Sequence, residues 1–93
     1  MYEYRNPYVV DFSGIKYYGE IHEILKEAFD FPDYYGENLD ALFDNLCALT
    51  EETQLTVINH GVLAEQLGDY GKMILMLFKD AADHNENFIF VRK

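Results

Sequence analysis

The chain has 93 residues, of which 17 are acidic and 7 basic, for a formal net charge of −10; 49% are hydrophobic and 16% aromatic. That length supports one domain, spanning 1–93, with a modest core and no interior large enough to enclose a cofactor. The apolar content excludes a disordered chain, and the acidic surplus argues against binding nucleic acid or an anionic membrane through phosphates while favouring a basic partner.

Cys47 is the single cysteine, so no internal disulfide is available and an oxidising compartment is not required. The N-terminus, Met1-Tyr2-Glu3-Tyr4-Arg5-Asn6-Pro7, lacks the basic start and apolar run of a signal peptide. No apolar stretch approaches a membrane span. A cytoplasmic protein, monomeric when free, is the expectation.

Tyr8-Val9-Val10 reads as a first strand, and residues 11–18 as a connection. Ile21, Ile24, Leu25, Ala28 and Phe29 fall at i, i+3, i+4, i+7 and i+8, the stripe of an amphipathic helix. Phe31-Pro32 is expected to end it, because a residue before proline is pushed out of helical geometry. Residues 33–37, with Tyr34-Tyr35-Gly36, read as a loop. Leu39, Leu42, Phe43 and Leu46 repeat the helical spacing, with Asn38 placed as the N-cap. Leu55-Thr56-Val57-Ile58 looks like a second strand. A short helix over Val62–Leu67 is closed by Gly68, and Gly68-Asp69-Tyr70-Gly71 reads as a turn. Ile74, Leu77, Phe78 and Ala81 mark a longer helix over Tyr70–His84. Phe88-Ile89-Phe90-Val91 is the third strand, apolar on both faces as a buried strand would be. Strands separated by helices favour parallel pairing. The fold class is therefore α/β: a small three-stranded parallel sheet packed with about four helices.

Charge is unevenly spread. From Glu27 to Gly71 there are ten acids and no lysine or arginine. At 100° per residue, Asp40, Asp44 and Glu51 fall within about 40° of one another if the second helix reaches that far. Asp40 and Asp44 are like charges at i, i+4, a pair that costs an isolated helix a few tenths of a kcal/mol. Two adjacent tyrosines stand on the loop before this helix, and tyrosine is a frequent anchor at interfaces. Tyrosines beside stacked acids suit a basic cleft. The plainer alternative has one tyrosine in the core, the other half exposed, and the acids merely solvated.

The run Tyr34-Tyr35-Gly36-Glu37-Asn38-Leu39-Asp40-Ala41-Leu42-Phe43-Asp44, preceded by Phe31-Pro32, strongly resembles the barstar family, intracellular inhibitors of barnase-type bacterial ribonucleases. The strand at Tyr8–Val10, the helix with His22 and Leu25, and Phe78-Lys79-Asp80-Ala81 follow the family's order and spacing. The likeness covers nearly the whole chain, weakly between Thr50 and Tyr70. It implies that the second helix and its preceding loop plug a ribonuclease active site. On that resemblance Asp44 sets its carboxylate where an RNA phosphate would sit, and Tyr34 packs on a catalytic histidine. Tyr35, Asn38 and Asp40 contact the enzyme around them, with Phe43, Glu51 and Asp80 as further contacts. No cofactor, no metal and no catalytic residue is implied, and the partner is a basic ribonuclease or related basic toxin.

Two departures stand out. Phe43 and Leu49 occupy positions where family members carry tryptophan, and His84 stands where an acid is expected. A histidine near a helix C-terminus more often compensates the dipole than makes a contact. Rival chemistries are thinly supported. Asp40 and Asp44 could be offered as a hydrolase pair, but nothing predicts the required cleft. Cys47 lies near the apolar side of its helix, where packing is favoured over nucleophilic chemistry. His22, His60 and His84 have no metal-ligand spacing. A barstar-like module directed at another basic nuclease or toxin is the remaining alternative.

Overall fold

The computed structural model describes residues 8–33 and 35–93. Strand β1 is Tyr8–Asp11, followed by helices α1 (Gly19–Ala28) and α2 (Leu39–Cys47). Strand β2 (Thr53–Ile58) leads to α3 (His60–Leu67), α4 (Asp69–His84) and strand β3 (Phe88–Arg92). All three strands are parallel, in the order β1-β2-β3, with Val10 opposite Val57 and Leu55 opposite Phe90. Each crossover carries two helices, and parallel neighbours need a connection of at least about a dozen residues. The fold is the small three-stranded α/β arrangement expected from the sequence.

The core draws Val10, Leu55, Val57 and Phe88 from the sheet into one cluster with Ile21 and Leu25 of α1, Leu42 and Leu46 of α2, and Ile74, Phe78 and Ala81 of α4. Every one is an apolar position of the expected periodicities. At about 25 cal/mol per Å² of buried apolar surface, this shared cluster is the main force that holds α2 and α4 on the sheet.

The third strand differs from expectation. It is an edge strand, with Ile89 exposed, whereas β2 pairs on both sides and alternates little in burial. Both faces of β3 are apolar in sequence, but composition says nothing about how many neighbours a strand has; the crossovers decide that.

Two helix junctions also differ. Helix α1 stops at Ala28, before the Phe31-Pro32 pair. Asp30 adopts φ 53°, and the Phe31 N–H donates to the Lys26 carbonyl at 3.0 Å. This is a Schellman closure with aspartate in the left-handed position that glycine usually fills. Likewise residues 68–71 form no free turn. Gly68 alone is the hinge, at φ 59°, and Asp69 already opens α4. Gly71 is buried at the α3–α4 crossing, where an added Cβ would collide with the Leu63 carbonyl.

Candidate functional site

Helix α2 starts as its sequence dictates. Asn38 is extended (φ −134°, ψ 170°), and its side-chain oxygen accepts from the Ala41 N–H at 2.8 Å. That cap satisfies one of the four orphan donors of the first turn. The preceding Glu37 sits at φ 50°, and the Asn38 amide also donates to the Gly36 carbonyl at 3.3 Å, which folds the loop tightly against the helix start.

The other end is held from a distance. Asn85, just past α4, directs its side-chain amide at the carbonyls of Leu46 (2.9 Å), Cys47 (3.2 Å) and Leu49 (3.0 Å). Asn87 adds a donor to Leu49 at 3.3 Å. The C-terminal carbonyls of α2 have no partners within the helix, so these amides both cap it and clamp it to α4. No spacing rule in the sequence singled out either asparagine.

With α2 and α4 locked together, Asp40, Phe43 and Asp44 of the former and Asp80 of the latter line one open groove of about 590 Å³, with Leu39, Met73, Met76 and Leu77. Three exposed carboxylates therefore share one groove with five apolar side chains. Met73 and Met76 keep 51% and 65% of their surface exposed, an unusual display for large apolar side chains at neighbouring helix positions. Both were missed from the sequence; the signal was the apolar arc of α4 running past Leu77 to Met73 and Met76, wider than a core stripe needs. Phe43 is half-buried, and its ring meets His84 edge-on at 5.4 Å. The His84 Nδ1 lies 2.9 Å from the Asp80 carbonyl, which can only accept, so that nitrogen carries the proton.

The remaining expected contacts scatter. Glu51 lies beyond the end of α2 at Cys47, so the helical wheel does not apply to it; it is exposed beside a separate hollow lined by Ala48, Leu49, Thr50 and Thr53. Tyr34 lies outside the described residues. Tyr35 is only 6% exposed and belongs to the core cluster.

Tyr35 marks a polar node that the sequence did not disclose. His22, wholly buried on α1, places Nδ1 2.6 Å from the Tyr35 hydroxyl and Nε2 2.6 Å from the Tyr70 hydroxyl. A neutral imidazole has one donor and one acceptor, so one tyrosine donates to it and the other accepts from it. Burial holds the His22 pKa below its usual value, with the nearby Glu37 pulling weakly the other way. Burial, then the neighbouring Tyr70 and Glu37, pushes the Tyr35 phenol far above its ordinary range. Burial and Tyr18, whose ring stacks at 4.8 Å, raise Tyr70. The node pins α1, the tyrosine loop and α4 together beneath a second hollow lined by Tyr18, Glu37, Asn38, Leu39, Asp40 and Tyr70, which shares Leu39 and Asp40 with the acidic groove.

Cys47 is half-buried against the core, and burial together with the Asp44 carboxylate raises its thiol pKa. That disfavours the thiolate a nucleophile needs. Among the described residues, no cluster of three or more His, Cys, Asp or Glu side chains is placed to hold a metal ion, and no helix is long and apolar enough to cross a membrane.

The family described as "Barstar (barnase inhibitor)" matches residues 6–91. A Bacillus subtilis (strain 168) protein named "Putative ribonuclease inhibitor YrdF" is 35% identical over 74 residues, covering 78% of each chain. A match over nearly the whole chain, together with the α/β fold and the acid-lined α2–α4 groove, leads to one conclusion: the chain belongs to the barstar family.

Proposed function

We propose that this protein inhibits a basic barnase-type ribonuclease by occupying its active site with carboxylates that take the place of RNA phosphate. The observation that carries the reading is the convergence of Asp40, Asp44 and Asp80, from two helices, on one open groove. The stretch that contains the first two has no lysine or arginine from Glu27 to Gly71. A ribonuclease is basic where it binds phosphate, and arginine grips a carboxylate bidentately much as it grips phosphate. A carboxylate has no scissile ester, so it occupies the site without reacting. Inhibition by occupation needs no cofactor and no chemistry from the inhibitor.

Opposite charge also speeds encounter, an effect that weakens as salt rises; barnase inhibitors are themselves the standard illustration of such steering. In this reading Asp44 is the central phosphate mimic, Asp40, Phe43 and Asp80 share its groove, and Tyr34, Asn38 and Glu51 are further contacts that the family resemblance implies. Tyr35 supports the loop from below through His22. Half-buried Phe43 and core-packed Leu49 leave less aromatic surface than the tryptophans of other family members, which favours a second partner type, another basic nuclease or toxin, as the alternative.

The test is titration of the pure protein into a barnase-type ribonuclease assay, wild type beside Asp44→Ala. Stoichiometric inhibition that the substitution abolishes is expected. Full ribonuclease activity at micromolar wild-type protein, or equal inhibition by the variant, overturns the reading for that enzyme.

A further inference from the structure

Carboxylates alone do not explain the groove. Its lining joins five apolar side chains, Leu39, Phe43, Met73, Met76 and Leu77, to the three exposed acids Asp40, Asp44 and Asp80. Met73 and Met76 leave more than half of their surface in water, although α4 buries Ile74, Leu75 and Phe78 next to them. A surface that served only to attract cations would gain nothing from this display. Exposed apolar surface framed by polar residues is the usual sign of a contact that another molecule covers.

We infer that Met73 and Met76 form a specificity floor that receives an apolar side chain of the partner, presented from a loop whose flanking residues are cationic. The inference rests on the inhibitor reading above and extends it to the partner's chemistry. Charge complementarity selects this occupant: Asp40, Asp44 and Asp80 share the groove with the methionines, so an apolar side chain arriving between arginines or lysines satisfies acids and floor together. A purely cationic loop would leave the methionines wet, and a purely apolar one would bury carboxylates without partners, at high cost. The volume of about 590 Å³ takes one large side chain with its backbone. Methionine is unbranched and polarisable, so the floor reshapes around inserted groups of different outline, a property suited to a partner surface that the smaller Phe43 no longer fills by itself.

Two arms test this. In the first, Met73→Gln/Met76→Gln is compared with Met73→Leu/Met76→Leu and with Asp44→Ala against a barnase-type ribonuclease. Glutamine keeps length, charge and helix propensity but removes the apolar contact. The glutamine pair should weaken binding about 10- to 100-fold, through faster dissociation at an unchanged association rate. The leucine pair should stay within about threefold of wild type. Equal binding by the glutamine pair, while Asp44→Ala loses it, overturns the floor and leaves the inhibitor reading standing.

The second arm needs no ribonuclease, so it stands even where wild type fails to inhibit. The methyl resonances of Met73 and Met76 are followed while the protein is titrated with the peptide Arg-Arg-Leu-Arg-Arg and, separately, Arg-Arg-Ser-Arg-Arg. Shifts of both methyls with the leucine peptide that exceed those with the serine peptide support the inference. Equal responses, or none, overturn it.

Discussion

The α2–α4 groove and the His22 node lie within one small protein and treat polar groups in opposite ways. In the node every polar atom is paired: one imidazole serves two tyrosine hydroxyls at 2.6 Å, and among the described residues no buried side-chain polar atom lacks a partner. In the groove three carboxylates gather with like charges beside apolar side chains and stay in water. The first arrangement contributes stability, because leaving a buried donor or acceptor unmade is expensive. The second contributes little stability and concentrates unspent interaction on one face. On the inhibitor reading proposed above, function resides where the local rules of stability are relaxed.

That contrast is open to direct attack, first through the groove. Asp44→Ala should weaken ribonuclease binding by at least about 3 kcal/mol, roughly 150-fold in Kd, because it would leave the enzyme's cations buried without a partner. Isothermal titration measures it. Second, His22→Leu should lower the free energy of unfolding by about 2–3 kcal/mol in urea titration, since two hydroxyls lose their partner while the apolar volume is largely kept. Its binding, measured where the variant is still fully folded, should stay within a few-fold of wild type. A His22 variant that is as stable as wild type would remove the distinction between the two regions.

Third, the two ends of α2 can be ranked. Asn85→Ala frees three carbonyl contacts at once and should cost about 2 kcal/mol. Asn38→Ala removes one local cap and should cost about 1 kcal/mol. Equal losses would mean that the remote clamp is worth no more than a local cap, and no loss at Asn85 that it is dispensable.

Fourth, the node predicts a direction of pH dependence. The His22 pKa is lower in the folded protein than its ordinary 6.5, so the unfolded chain binds the proton more readily. The contribution of His22 is therefore fully present above pH 6.5 and is lost as pH falls from there through the depressed folded value. Unfolding midpoints at pH 7.5 and 5.5 should separate more for wild type than for His22→Leu, which does not titrate. The smallest effect returns to the groove: Asp44→Ala should raise stability by a few tenths of a kcal/mol, through relief of the Asp40–Asp44 repulsion. A clear loss of stability would show that Asp44 is also a structural residue.

Much of this was legible in the chain because it follows from local spacing. The stripe Leu39–Leu42–Phe43–Leu46 and the cap Asn38 specify α2 within about ten residues, and both hold in the fold. Asp40 and Asp44 share a helical face by period alone, and the Tyr34–Asp44 run with its resemblance pointed to Asp80. Glu51 was misplaced because the wheel runs on past Cys47, where the helix ends and the Leu46 and Cys47 carbonyls turn to Asn85 instead. The edge position of β3, the Schellman closure at Asp30 and the Gly71–Leu63 crossing depend on which neighbours arrive, and periodicity carries no such information.

Local spacing and charge already specified an acidic α/β protein of the barstar family, the helix that bears Asp40 and Asp44, and the absence of any lysine or arginine from Glu27 to Gly71. Only the tertiary structure decided that Asp80 and the methionines of α4 stand across from those acids, that Tyr35 turns inward to His22, and that Asn85 fixes the distance between the two helices. The physical reason is range. Helical period, capping and charge act over a few residues, whereas His22 and Tyr70 lie 48 residues apart and Asn85 and Leu46 lie 39 apart, and such pairs meet only when the shared core brings their helices together.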